Sequence, residues 1–257
     1  MKQPPQIFDR QLYALRRAKA AGSDFLVRDV AAHLVERIAT INRPFEHALD
    51  LSSRDEAFAE LQGAAPHWAR TSLFPRDGYL LADEEALPFA PASFDLIASA
   101  LSLHAVNDLP GALVQIRRAL KPGGLFVAAL FGGETLRELR HSLAQAESEM
   151  TGGISPRVAP FADVRDLGAL LQRAGFTSPV ADVERTIVRY RDFSRLLDDL
   201  RALGETSALA GRSRRFLRRG LLAAALENYR ALFAENGRLT ATFDIVYLTG
   251  GAFAKTG

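Results

Sequence analysis

A run of seven apolar residues, Leu125 to Phe131 (L-F-V-A-A-L-F), limits the fold more than any other feature of this chain. A strand with one face in water alternates apolar and polar side chains; a strand without a polar side chain needs cover on both faces. The centre of a parallel sheet flanked by helices supplies that cover. The preceding segment fits: Leu109, Leu113, Ile116 and Leu120 lie on one face of a helix. Lys121-Pro122-Gly123-Gly124 stops that helix with a basic residue, a proline and glycines in the expected order.

The rest of the chain alternates in the same way. Leu12, Leu15, Phe25, Leu26, Val30, Leu34 and Ile38 predict helix over 10–39, interrupted near Ala21-Gly22-Ser23, with Ser23 or Asp24 capping the second part. Strands are expected at Glu46 to Leu51, within Trp68 to Phe74, and at Tyr79 to Ala82, Phe94 to Ala98, Asp182 to Tyr190 and Thr242 to Leu248. Helices are expected at Glu56 to Leu61, 134–148, 163–174 and through most of 193–235. Strands alternating with helices predict a doubly wound, mostly parallel sheet. The chain divides into an N-terminal helical extension (1–45), an α/β core (46–191 and 237–257) and a helical insert or lid (192–236).

Composition narrows the chemistry. With 48% hydrophobic and 24% charged residues the chain can bury a core and is not disordered. It has no cysteine, which removes disulfides, thiolate catalysis, zinc fingers and iron–sulfur ligation. No metal-ligand motif, glycine-rich phosphate loop or nucleophile elbow is present, so no metal is expected. The N-terminus lacks the apolar segment of a secretory signal, and no run approaches the roughly 18–20 apolar residues of a membrane span. A cytoplasmic protein is expected. Charge is uneven: residues 1–184 carry 19 basic and 23 acidic groups (net −4), residues 185–257 carry 13 and 7 (net +6).

Ligands of an open α/β sheet bind beyond the carboxyl ends of the strands. The residues there are Asp50 to Asp55, Thr71 to Phe74, Asp83 to Glu85, Ser99 to His104 and Gly132 to Arg137. Three stretches carry a resemblance: A-D-E-E-A-L-P-F, S-F-D-L-I-A-S-A-L-S-L-H-A-V-N-D-L-P-G-A-L and L-K-P-G-G-L-F. They resemble class I S-adenosylmethionine-dependent methyltransferases, in the branch of the malonyl-carrier-protein O-methyltransferase. I-F-D-R, F-G-G-E-T-L-R-E-L-R and S-P-R-V-A-P-F-A-D-V-R-D-L-G are most similar to the methyltransferase-like assembly factor of respiratory complex I.

That resemblance implies a Rossmann-like seven-stranded α/β sandwich and S-adenosylmethionine as cofactor. Asp50, Ser52, Asp83, Glu84, Ser99 and Leu101 would face the cofactor, and His104 and Asn107 the point of methyl transfer. Gly132, Gly133, Glu134 and Arg137 would lie on the substrate side. The acceptor would be a small-molecule carboxylate or a protein side chain; the assembly-factor branch hydroxylates an arginine.

The sequence departs from the family at two places. The glycine motif L-D-L-G-x-G-x-G reads Leu49-Asp50-Leu51-Ser52-Ser53-Arg54-Asp55, so side chains occupy space that glycines leave for the cofactor. No acid stands at the end of the second strand for the ribose; the next is Asp77. A lost charge-assisted hydrogen bond weakens binding by roughly 10- to 150-fold.

Two readings therefore stand side by side. One is a methyltransferase with an altered cofactor site, His104 serving as base where the acceptor must lose a proton. The other is a catalytically inactive binding or assembly factor. Arg212, Arg214, Arg215, Arg218 and Arg219 form a dense basic cluster, read as a solvated helix face or as a docking patch for an acidic protein. Nucleic acid is not expected, because no binding motif or aromatic platform accompanies it. Glu134 and Arg137 are read either as a first-turn helix pair or as substrate contacts.

Overall fold

The computed structural model describes residues 5–20, 25–213 and 218–252. Ser23 and Asp24, the expected caps, and Arg214 and Arg215 of the basic cluster lie outside the described residues. The chain runs α1 (Arg10–Lys19), α2 (Phe25–Ala39), β1 (His47–Asp50), α3 (Asp55–Leu61), β2 (His67–Ser72), β3 (Leu80–Leu81), β4 (Phe94–Ala100), α4 (Leu109–Ala119) and β5 (Leu120–Phe131). It continues with α5 (Arg137–Thr151), α6 (Val164–Arg173), β6 (Thr177–Tyr190), α7 (Phe193–Leu203), α8 (Arg219–Phe233), β7 (Ala234–Glu235) and β8 (Arg238–Gly251).

The sheet order is β3-β2-β1-β4-β5-β8-β6. Strands β1 to β5 are parallel, and β8 runs antiparallel to both β5 and β6. The apolar run of β5 sits at the centre, as its composition demands. Leu125, Val127 and Ala129 face one side with α2, α5, α7 and α8; Phe126, Ala128 and Leu130 face the other with α4 and α6. Asp108 caps α4 by accepting from the Gly111 amide at 2.9 Å.

Seven strands are expected and eight form among the described residues. The addition is β7, which folds back on β8 through Asn236 (φ 50°) and Gly237 (φ 73°). Two consecutive left-handed residues of the type Asn-Gly close a tight hairpin. The long partners β6 and β8 also start earlier than periodicity suggests. Past the Phe131–Ile245 pair β8 leaves β5 behind and continues against β6 from Arg185–Asp244 to Tyr190–Leu239. Under this overhang α8 packs, and the buried Tyr229 hydroxyl donates to the Thr240 carbonyl at 2.7 Å. The insert therefore shares the core of the sheet: Leu196, Leu200, Leu221 and Ala225 belong to the same buried cluster as β5. Between β2 and β3 there is no helix, as the short spacing to Asp83 requires.

In α1 the expected core face holds at Leu12, which packs against the cluster of Phe8 and Tyr13, and fails at Leu15. Leu15 is 59% exposed, whereas Tyr13 is buried, with Arg10 and Arg17 on its flanks. The inward stripe is polar because it meets the carboxyl ends of the strands.

Candidate functional site

The ends of β1, β2 and β4 converge on a crevice. Asp50, at the end of β1, is fully buried; its Oδ1 accepts from the Ser53 amide at 3.3 Å and its Oδ2 from Arg70 Nε at 3.1 Å. Burial pushes the Asp50 carboxyl up, and Ser53 and Arg70 offset only part of that. Ser99 donates to the Leu51 carbonyl at 3.1 Å, and Ser53 Oγ accepts from the Ala100 amide at 2.9 Å. Ser52 and Leu101 hold left-handed backbone, each with φ 54°. Such non-glycine conformations cluster where a site constrains the chain.

Helix α1 lies across this crevice and fills it with guanidinium groups. Arg17 donates to the Ser52 carbonyl at 2.7 Å and the Leu101 carbonyl at 3.2 Å. Arg10 donates to Asp83 at 2.8 Å, to the buried Glu84, and to the Ala105 carbonyl at 3.0 Å. Burial opposes the Arg10 charge, but Glu84 and Asp83 hold the guanidinium above its ordinary range. Where the ribose acid is missing, Arg70 bridges Asp50 and Asp55 and lies 3.6 Å from the centre of the Phe58 ring. Arg54 does not point at the crevice centre: it donates to the Ala202 carbonyl of α7.

The cleft left over measures about 210 Å³. Small-molecule sites span ~300–1,000 Å³. Its floor carries side chains at Ser52 and Arg54 where the family has glycine, and Arg17 occupies the two backbone carbonyls that close it. Of the residues expected to face the cofactor, Ser52 lines this cleft; Asp50, Asp83, Glu84, Ser99 and Leu101 do not, and each is engaged by the protein itself.

On the other side of Tyr13 lies a second site. His104 sits in a short turn (Leu103–Ala105) after β4, with its side chain 2% exposed and 4.8 Å from the Phe131 ring. Its Nε2 is 3.0 Å from Glu205, and Glu205 also accepts from the Tyr13 hydroxyl at 3.1 Å. Burial opposes the Glu205 charge most strongly, yet His104, Arg17 and Tyr13 together hold it below the usual carboxylate range. An ionised Glu205 calls for a proton on Nε2; the other ring nitrogen, Nδ1, is buried without a partner. These three side chains line a cavity of about 390 Å³ with walls from α5, α7 and the loop through Phe161.

Glu205 and Tyr13 belong to no sequence motif. Glu205 is placed by the end of α7, where Gly204 turns left-handed (φ 76°) and the Glu205 amide bonds back to the Leu200 carbonyl at 2.8 Å. A Cβ at Gly204 would stand 3.2 Å from Arg17 Cα, so the glycine also seats α1.

The other expected residues take different tasks. Asn107 clamps the N-terminal segment: its Oδ1 accepts from the Ile7 and Phe8 amides at 2.8 and 2.7 Å, and its Nδ2 donates to the Phe8 carbonyl at 3.2 Å. Gly132 is a packing position, where a Cβ would meet Val246 at 2.8 Å. Glu134, in the turn before α5, and Arg137, its first residue, form a half-exposed pair at 3.4 Å. Gly132, Gly133, Glu134 and Arg137 line neither cleft. Arg212 lines the second cavity and pairs with Asp9 at 3.2 Å; Arg218 and Arg219 are exposed. Among the described residues no cluster of histidines and acids could hold a metal, and no helix is long and apolar enough to cross a membrane.

The family model described as "Methyltransferase domain" matches residues 31–128. The mitochondrial arginine-hydroxylase NDUFAF5 of Mus musculus is 40% identical over 95% of this chain and 77% of its own length. The chain belongs to this methyltransferase family. A malonyl-[acyl-carrier protein] O-methyltransferase of Methylovorus sp. (strain MP688) is 38% identical over 68% of this chain and 56% of its own length. The YcgJ protein of Bacillus subtilis superposes with a TM-score of 0.58 over 86% of this chain and 98% of its own, at 13% identity, which speaks for the fold alone. S-adenosylmethionine binding is a trait of the methyltransferase family.

Proposed function

We propose that this protein is a methyltransferase-family factor that works by engaging a protein partner, as the assembly-factor branch does, and not by transferring the methyl group of S-adenosylmethionine. One observation carries the reading: α1 occupies the cofactor crevice with Arg10 and Arg17, each bonded to the groups a cofactor would need. The cofactor carries a sulfonium and an ammonium, and a resident guanidinium at the same carbonyls repels both. The exposed Arg218 and Arg219, in the basic C-terminal part of the chain, supply a docking element for an acidic protein surface.

A second reading rests on the Tyr13–Glu205–His104 cluster. A buried histidine with one nitrogen bonded to an acid and the other facing a cavity suits proton transfer from a bound group. In that reading the chain modifies a protein side chain, as the name of the NDUFAF5 relatives states for them.

Titration calorimetry of the purified protein with S-adenosylmethionine and S-adenosylhomocysteine tests the first reading. No heat up to about 1 mM ligand is expected, because two lost interactions shift a micromolar site to roughly millimolar. Micromolar binding of either ligand returns the protein to the methyl-transferring enzymes.

A further inference from the structure

The cavity beside His104 carries an unmet demand that the protein does not satisfy. Among the described residues, three side-chain atoms buried without a partner belong to residues that line it: His104 Nδ1, Ser207 Oγ and Arg16 Nη1. Buried polar atoms are nearly always bonded, and several orphans around one space mark a missing partner. Much of its wall is apolar, with Leu139, Leu143, Leu197, Leu200 and Phe161 among the lining residues.

Among the described residues, the charges leave one cation over. Arg157 is paired with Glu147 at 2.7 Å, Arg212 with Asp9 at 3.2 Å, and Glu205 is shared by His104 and Tyr13 with Arg17 nearby at 3.8 Å. Among the described residues, Glu205 is the one acid on the lining. Arg16 has no carboxylate of its own. Burial and then the neighbouring Arg212 pull its guanidinium below the ordinary range, with Asp9 offsetting part of this. A partly buried guanidinium beside a like charge is relieved by an incoming anion.

We propose that this cavity binds an amphipathic monocarboxylate, with the head group on Arg16 and the hydrocarbon chain along the leucine and phenylalanine walls. At about 30 Å³ per water-sized group, the cavity of about 390 Å³ takes a chain of roughly ten such groups. The site is separate from the crevice that α1 closes, and the inference holds whether or not that crevice takes a cofactor.

Calorimetry on the full chain with octanoate, octanol and octylguanidinium tests it. Octanoate is expected to bind below about 1 mM, at least about tenfold tighter than octanol, with octylguanidinium weaker than both; a charge-assisted bond accounts for that ratio. Arg16→Met is expected to remove the preference for octanoate and leave octanol binding unchanged, and Arg16→Lys to keep part of the preference. Equal affinity for octanoate and octanol, tighter binding of octylguanidinium, or no octanoate binding at 1 mM overturns the proposal. Those wild-type measurements decide the matter even if the methionine variant does not fold.

Discussion

Arg17 donates from Nη2 to the backbone carbonyl of Ser52 across 2.7 Å. Ser52 stands where the first glycine of the family's cofactor loop is expected, and it keeps the left-handed backbone that a glycine adopts without cost. A serine holds the turn here, and a side chain from α1 uses the carbonyl that the turn presents.

The same logic makes the conformation of Ser52 measurable. A non-glycine residue in the left-handed region costs roughly 1–2 kcal/mol, while glycine loses about 0.5–1 kcal/mol more chain entropy on folding. Ser52→Gly is therefore expected to be neutral or to stabilise by up to about 1 kcal/mol, read from urea unfolding midpoints. A loss above about 1 kcal/mol would show that the Ser52 hydroxyl, 3.4 Å from Thr71 Oγ1, matters more than the backbone.

Arg10 is held by Glu84, whose side chain is almost fully buried. Removing one partner of a buried pair leaves an uncompensated charge and costs about 3–5 kcal/mol. Arg10→Met is expected to lose stability of that order, and Arg10→Met with Glu84→Gln to recover part of it. If the double variant is no more stable than the single, the ion pair is not the source of the loss.

Asn107 ties the chain around Ile7 and Phe8 to the end of β4 through three hydrogen bonds. Asn107→Ala is expected to speed amide exchange through α1 at least about tenfold, since weakly held segments open locally before the core does. Exchange in β4 and β5 should stay unchanged. Hydrogen exchange read by mass spectrometry separates this from a catalytic role, which would leave the protection of α1 intact.

Glu205 gives a pH dependence with a definite sign. Its carboxyl titrates lower in the folded protein than the ordinary value of 4.5. Between those values the unfolded chain binds more protons than the folded one, so stability rises with pH there. The contribution is complete above the ordinary value and is lost as pH falls through the lowered one. Glu205→Gln is expected to flatten the fall of Tm between about pH 5 and pH 3. An unchanged slope would assign the acid sensitivity to other carboxylates, such as Glu147 beside Arg157.

The legible part of this fold was the part written in local pattern. The unbroken apolar run of β5 and the helix Leu109–Ala119 before it give the centre of the sheet, and the motifs around Asp83 and Ser99 give the family. The loss of glycine at Ser52 and Arg54 was visible as well. The placement of Arg10 and Arg17 against the strand ends was not, because they look like a polar helix face until α1 is laid across those ends. Glu205 was equally silent: it lies 101 positions from His104, in a stretch whose periodicity reports only helix. Long-range pairings of this kind leave no spacing in the sequence.

Gly132 shows where family layout and physical role part company. The resemblance puts it on the substrate side, yet its amide bonds to the Asp244 carbonyl at 2.8 Å and a Cβ would stand 2.8 Å from Val246 Cγ2. Both neighbours belong to β8, which is fixed by pairing on two sides, so little room can be made. Overpacking of this kind costs typically 1–3 kcal/mol. Gly132→Ala is expected to lower stability by about that amount in urea unfolding, whereas Gly133→Ala, whose Cβ would meet only the Phe161 carbonyl at 3.7 Å, should change it by less than about 1 kcal/mol. Equal effects at the two positions would mean that the turn, and not the contact with Val246, selects glycine there.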